Sequence, residues 1–217
     1  MQIHYISQNN SILNHFMAQI RDVNVQHDSM RFRKNIERIG EIMAYELSKT
    51  LSYKDIEVNT PLGTKKTTAL EDNVVLCSIL RAGLALHTGF MNFFDDAENG
   101  FVSAYRHHPH NDDYFEILVE YRAAPSFNNK NLILVDPMLA TGQSLVAVFN
   151  KLMEEETPKE IHIAVVIAAP EGVAYLEEHL PDNCHLWIAG LDDCLNDQKY
   201  IVPGLGDAGD LAYGSKL

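Results

Sequence analysis

Asn131-Leu-Ile-Leu-Val-Asp136-Pro-Met-Leu-Ala-Thr141-Gly142-Gln-Ser144 is the stretch whose reading decides the fold. Its apolar, branched opening predicts a buried strand, and the Leu145–Glu155 run that follows predicts a helix starting at a Ser cap. Between them lies a loop with one carboxylate, one Thr and one Gly. A loop that hands a strand to a helix gathers free backbone N–H groups at a helix N-terminus, which suits a phosphate. Asp136 would not favour a bare phosphate, so the expected ligand is an anion that also carries hydroxyls or a metal. A sugar phosphate meets that description.

The same alternation continues on either side. Val74–Leu80, Gly100–Tyr105, Tyr114–Tyr121, Ile161–Ala168 and His185–Ala189 read as strands, with helices over Leu84–Phe94 and Glu171–His179. This pattern predicts an α/β fold, a parallel sheet with helices on both faces. Residues 9–50 read as helical, from Ile12, Phe16, Ile20 and Val23, then Phe32, Ile36, Ile39, Met43 and Leu47, with Asp28 or Ser29 capping the second helix. So apolar an arm needs a surface to cover and suggests a homodimer or higher homo-oligomer. Lys54–Thr68 reads as an extended excursion or hairpin.

With 217 residues, the chain is expected to form a single domain. Its formal charge of −13, from 17 basic and 30 acidic residues, argues against nucleic-acid or anionic-membrane partners. No signal peptide is visible, and no apolar run approaches the roughly 20 residues that span a bilayer. Three cysteines without Cys-x-x-Cys spacing read as reduced thiols, so a cytoplasmic location is expected.

In such a sheet the ligand sits beyond the carboxyl ends of the strands, which directs attention to four loops. Arg81, in Ser78-Ile-Leu-Arg81-Ala-Gly83, can pair bidentately with phosphate oxygens or can cap a neighbouring helix. Tyr105-Arg106 leads into His107-His108-Pro109-His110-Asn111-Asp112-Asp113, which reads as a solvated cover over a site. The His and Asp spacing there matches no closed zinc pattern. Asp136–Ser144 is the third loop. The fourth, Tyr200 to Asp210, contains Gly204–Gly209 in a G-x-G-x-x-G pattern, but only eight residues follow it and no βαβ unit can. A glycine-dense turn suited to clasping a flat polar ligand by its edge is the remaining reading.

Taken together, Ile79-Leu-Arg-Ala-Gly83, Tyr105-Arg106, Leu134-Val-Asp-Pro-Met-Leu-Ala-Thr-Gly142, Ala168-Ala-Pro-Glu-Gly172, Tyr200 through Gly209 and Gly214-Ser-Lys216 resemble the uracil phosphoribosyltransferases. The resemblance covers roughly residue 11 to the end. It implies a type I phosphoribosyltransferase-like fold, a helical N-terminal arm over 9–50 and a uracil-binding segment over 196–217. It further implies transfer of ribose 5-phosphate from phosphoribosyl diphosphate to uracil, giving UMP and diphosphate. By the same resemblance Arg81, Asp136 and Asp207 are the catalytic candidates. Phosphoribosyl diphosphate would meet Arg81, Arg106, Asp136, Pro137, Met138, Leu139, Ala140, Thr141, Gly142, Gln143, Ser144 and Asp207. Uracil would meet Ile201, Gly206, Asp207 and Ala208. Mg²⁺ would travel with the diphosphate instead of being ligated by the protein. Three positions depart from the family pattern: Ser78 stands for Pro, Ile117 for Lys, and Gln143 for the second Gly of Thr-Gly-Gly. A left-handed backbone at Gln143 would cost about 1–2 kcal/mol. Gln143 and Ile117 motivate an alternative expectation, a weakly catalytic or non-catalytic paralogue that senses phosphoribosyl diphosphate or UMP.

Overall fold

In the computed structural model, which describes residues 1–107, 116–154 and 156–215, the elements run in the order β1 (Gln2–Tyr5), α1 (Ile12–Arg21), α2 (Ser29–Ser48), β2 (Tyr53–Thr60), β3 (Gly63–Leu70), β4 (Val74–Leu80), α3 (Leu84–Met91), β5 (Glu98–His107), β6 (Glu116–Ala123), β7 (Asn131–Val135), β8 (Met138–Leu139), α4 (Gln143–Met153), β9 (Glu160–Ala168), α5 (Pro170–His179), β10 (Cys184–Leu191), β11 (Cys194–Leu195), β12 (Ile201–Val202) and α6 (Ala208–Tyr213). The central sheet has the order β1-β10-β9-β7-β4-β5-β6, with β8 beside β9. All its pairings are parallel except β5 with β6, so the expected parallel sheet carries one antiparallel edge strand. Every residue of β7 is buried, and so is all of β9 after Glu160. Strands covered on both faces need apolar side chains at every position, which is why these two read as continuous apolar runs.

One face of the sheet is covered by α1, α2, α3 and α6, the other by α4 and α5. Asp28 caps α2 by accepting a hydrogen bond from the Arg31 N–H, and Phe32, Ile36, Ile39, Met43 and Leu47 all face inward. Helix α1 is rotated from the expected phase. Leu13, Met17 and Ile20 are buried, whereas Ile12 and Val23 are 61% and 66% exposed. Both sets satisfy helical spacing, and contact with the sheet selects between them. The buried apolar face of the 9–50 segment therefore covers this chain's own sheet, while Ile12, Val23 and Met30 are left exposed. Strands β2 and β3 form the expected antiparallel hairpin.

The chain leaves β4 toward β5 on one side and returns to β7 on the other. The gap between β4 and β7 is thus a topological switch point, where the loops after Leu80 and Val135 diverge and leave room for a ligand.

Candidate active site

The loop after β7 is held by backbone. The Pro137 carbonyl accepts from the N–H groups of Val166 (3.1 Å) and Ile167 (3.0 Å), and the Leu139 carbonyl accepts from that of Ala169 (2.9 Å). Pro137 and Leu139 are buried, while Met138, Ala140, Thr141, Gln143 and Ser144 keep part of their surface open. Gly142 turns the chain into α4 with φ +80°, and a Cβ there would lie 2.7 Å from Leu176 Cδ1. Only glycine meets both conditions without strain. Gly142 also occupies the cap position of α4, so Ser144 is the second helical residue and not the cap that its residue type suggests. With no capping side chain, the N–H groups of the first turn and the positive end of the helix dipole are left for an anion. Gln143 has helical backbone and lies outside the left-handed region, so the expected strain there is absent.

Asp136 stands at the mouth of this loop, its Oδ1 accepting from the Met138 N–H at 3.2 Å. Burial lifts its carboxyl from 3.8 to about 7; the Met138 N–H opposes that rise, and the negative charge of Asp207 adds to it. The loop after β4 lies against both the third and the fourth loops: a Cβ on Gly83 would lie 2.9 Å from Val135 O, and Arg81 meets Asp210 at 3.4 Å. Asp207 is exposed and caps α6, its Oδ1 accepting from the Asp210 N–H at 2.9 Å.

Arg81 enters from the loop after β4. Its Nη2 donates to Gly214 O at 3.1 Å and contacts Asp210 Oδ1 at 3.4 Å. Its Nε is buried with no partner among the described residues. A Cβ on Gly209 would lie 3.8 Å from Ala82 Cβ, so α6 packs directly on this loop. The side chains of Arg106 and Ile117, Lys216, and most of the His107–Asp113 stretch lie outside the described residues.

The fourth loop ends differently from the third. Ile201 and Ala208 are buried, and Gly206 and Asp207 are exposed between them. Gly204 has φ +63°, and a Cβ there would sit 2.1 Å from the Ile201 carbonyl oxygen. Three supports were not apparent from the sequence. Arg21, the last residue of α1, donates to both carboxylate oxygens of Asp192 at 2.8 and 2.5 Å and to Gly204 O at 2.9 Å. Asp192 accepts in turn from Gly204 N at 2.9 Å. Buried Gln26 donates to the carbonyls of Ile20, Arg21 and Leu205 at 3.2–3.3 Å. No local spacing links residue 21 to residue 192, so no sequence signal was available. Helix α6 was missed as well, being short and glycine-containing.

Two clefts flank these loops. One of about 390 Å³ is lined by Gln26, His27, Gly206, Asp207 and Asp210; the other, about 430 Å³, by Thr141, Gln143, Glu171, Tyr175 and Lys199. A cleft of about 440 Å³ lined by Asp72, Phe94, Asp95 and Lys130 lies at the amino end of β4 and holds none of these residues.

The sequence profile of a family described as Uracil phosphoribosyltransferase matches residues 6–215. A curated uracil phosphoribosyltransferase of Porphyromonas gingivalis is 49% identical over 217 residues, covering all of both chains. Among solved structures, a protein of Aquifex aeolicus superposes with a TM-score of 0.87 at 29% identity, covering all of both chains. A hypoxanthine phosphoribosyltransferase of Staphylococcus aureus, at 13% identity and TM-score 0.51 over 87% of this chain and 84% of its own, shares the fold.

Proposed function

Since the chain belongs to the uracil phosphoribosyltransferase family, we propose how the loops at this sheet edge divide the family's reaction between them. Ribose 5-phosphate passes from phosphoribosyl diphosphate to N1 of uracil, giving UMP and diphosphate, a reaction of pyrimidine salvage. The bond from C1 to diphosphate breaks and a bond from C1 to N1 forms, through a state with positive charge on the ribose. Positioning and neutralisation of the leaving group supply most of the rate.

The Asp136–Ser144 loop holds the 5-phosphate on backbone N–H groups and the first turn of α4, through Met138, Ala140, Thr141, Gly142, Gln143 and Ser144. Pro137 and Leu139 shape it from below. Ionised Asp136 accepts the ribose hydroxyls. The unpartnered Nε of Arg81 is free to donate to diphosphate oxygens, and Arg106 is assigned to the same group by family resemblance. Ile201, Gly206 and Ala208 present backbone groups to uracil, whose O4 accepts and whose N3–H donates. Cytosine offers the reverse pattern and would leave buried groups unpaired. Asp207 stands between base and donor.

Asp136 and Asp207 form no ion pair among the described residues, which suits a hard cation arriving with the donor. No group of three or more His, Cys, Asp or Glu among the described residues could hold a metal by itself. Mg²⁺ would therefore be held mainly by diphosphate oxygens and water, where it neutralises the leaving group. No helix among the described residues is long and apolar enough to cross a membrane. Free Cys77, Cys184 and Cys194 support a cytoplasmic location, and exposed Ile12, Val23 and Met30 support a homo-oligomer.

The observation that carries this reading is Arg81 Nη2 meeting Gly214 O at 3.1 Å and Asp210 Oδ1 at 3.4 Å, which joins the C-terminal turn to the loop after β4, beside β7. Pure protein given labelled uracil, phosphoribosyl diphosphate and Mg²⁺ is expected to form UMP. Arg81→Ala should raise KM for the donor more than KM for uracil; the opposite order would reassign Arg81. Gln143 and Ile117 motivated the alternative of a non-catalytic sensor; the ordinary helical backbone of Gln143 removes the first motive, and the Ile117 side chain lies outside the described residues.

A further inference from the structure

We propose that Arg21, Asp192 and Gln26 are positioning residues for the base, a device by which the N-terminal helix sets the geometry of the uracil-binding turn. This inference rests on the assignment of Gly206–Ala208 to uracil. The peptide groups of Gly204 are gripped from both sides: Arg21 donates to its carbonyl and Asp192 accepts from its N–H, while the two side chains pair bidentately with each other. Such a fork fixes orientation as well as distance. Gln26 then holds the next carbonyl, that of Leu205, and ties it to the carbonyls at the end of α1. Asp192 is itself anchored, its N–H donating to Ala168 O at 2.9 Å at the end of β9. Three consecutive peptide groups leading into Gly206 are thereby referred to the sheet and to α1. Gly206 has φ +91° and nothing within 4 Å of where a Cβ would stand, so the turn is held from its two sides: by the clamp before Gly206 and by the Asp207 cap of α6 after it.

A base read by backbone groups has its selectivity set by where those groups sit, to within a few tenths of an ångström. Arg21 and Asp192 hold that position from outside both clefts, while Gln26 lines the one beside Gly206 and Asp207. None of the three side chains is assigned to the donor, whose 5-phosphate loop is held by backbone bonds to β9. Loosening the clamp should therefore weaken uracil recognition and spare donor recognition.

The unaltered chain is assayed first: failure to make UMP would refute the functional reading itself. If it makes UMP, steady-state kinetics with each substrate varied are run on Gln26→Met and Arg21→Lys. Gln26→Met removes one polar support while nearly keeping the volume. Arg21→Lys keeps the charge beside Asp192 but cannot bond both carboxylate oxygens and Gly204 O in that geometry. Each variant is expected to raise KM for uracil about fivefold, the loss of one hydrogen bond's worth of alignment. KM for phosphoribosyl diphosphate should stay within about twofold. A rise in both constants together would overturn the proposal. So would unchanged uracil KM, whatever happens to the melting temperature, because the clamp would then be structural only. Should Arg21→Lys fail to fold, Gln26→Met alone decides the matter by the same two constants.

Discussion

The Asp136–Gly142 loop, proposed for the 5-phosphate, and the Gly204–Ala208 turn, proposed for the base, are held in opposite ways. Residues 136–142 lie on β9 through backbone bonds, with carbonyls of Pro137 and Leu139 meeting N–H groups of Val166, Ile167 and Ala169. The turn at Gly204–Ala208 hangs from side chains, those of Arg21 and Gln26 lying 183 and 179 positions away in sequence and that of Asp192 lying 12 away. A loop fixed by backbone depends little on its own side chains; of the two departures nearby, Gln143 opens α4 with helical backbone and Ser78 lies within β4. Ser78 sits in β4, paired with Phe101 and Val135, and the strand continues past it to Leu80. A loop fixed by remote side chains depends on each of them.

The largest effect should come from the point where the two regions meet. Asp207→Ala is expected to lower kcat by about 10²–10³, while calorimetry shows only the loss of one helix cap, about 1 kcal/mol. Retained turnover would separate the base turn from the chemistry.

Asp136 sharpens the comparison through pH. Its folded pKa of about 7 lies above the ordinary 3.8, so between these values the folded chain keeps a proton that the unfolded chain has released. Stability is therefore fully present below about pH 4 and falls as pH rises toward 7. Asp136→Asn should melt higher than the parent at pH 8, by roughly 1–3 kcal/mol, with the gap closing below pH about 4. If the ionised form accepts the ribose hydroxyls, kcat/KM for the donor rises with pH through about 7. Asp207→Asn should lower the Asp136 value, read from the carboxyl titration by NMR. An unmoved titration would mean that the two regions do not sense each other.

Within the phosphate loop, Gly142→Ala should cost about 1–2 kcal/mol from the left-handed backbone alone, before its contact with Leu176; urea unfolding measures it. The smallest effect belongs to Gln143→Gly. Because the helical backbone already suits Gln there, donor KM should change less than about twofold and stability by less than about 1 kcal/mol. A large gain in activity would show that the Gln143 side chain obstructs the site.

Legibility in the sequence followed the same divide. Strand-to-helix alternation, the Asp136 loop and the Asp207 turn could be read from contiguous residues, since each local pattern carries its own physical reason. The capping role of Gly142 was misread as Ser144 because residue type was weighed and backbone conformation was not visible. β1 was missed: Gln2-Ile-His-Tyr5 has no strand-like apolar run, and it pairs because β10 offers an open parallel edge where His4 stacks on Trp187 at 3.9 Å.

By itself the sequence determined the α/β class, most of the strands of the sheet, the family and the loops that are candidates for the ligands. Burial periodicity and turn chemistry are written in neighbouring residues and survive without coordinates. The tertiary structure alone decided which face of α1 is buried, where β1 docks, that Asp136 and Asp207 share one field, and that Arg21, Gln26 and Asp192 brace the base turn. These outcomes depend on which of many polar and apolar groups packing brings together across the chain, and neighbouring residues hold no record of that choice.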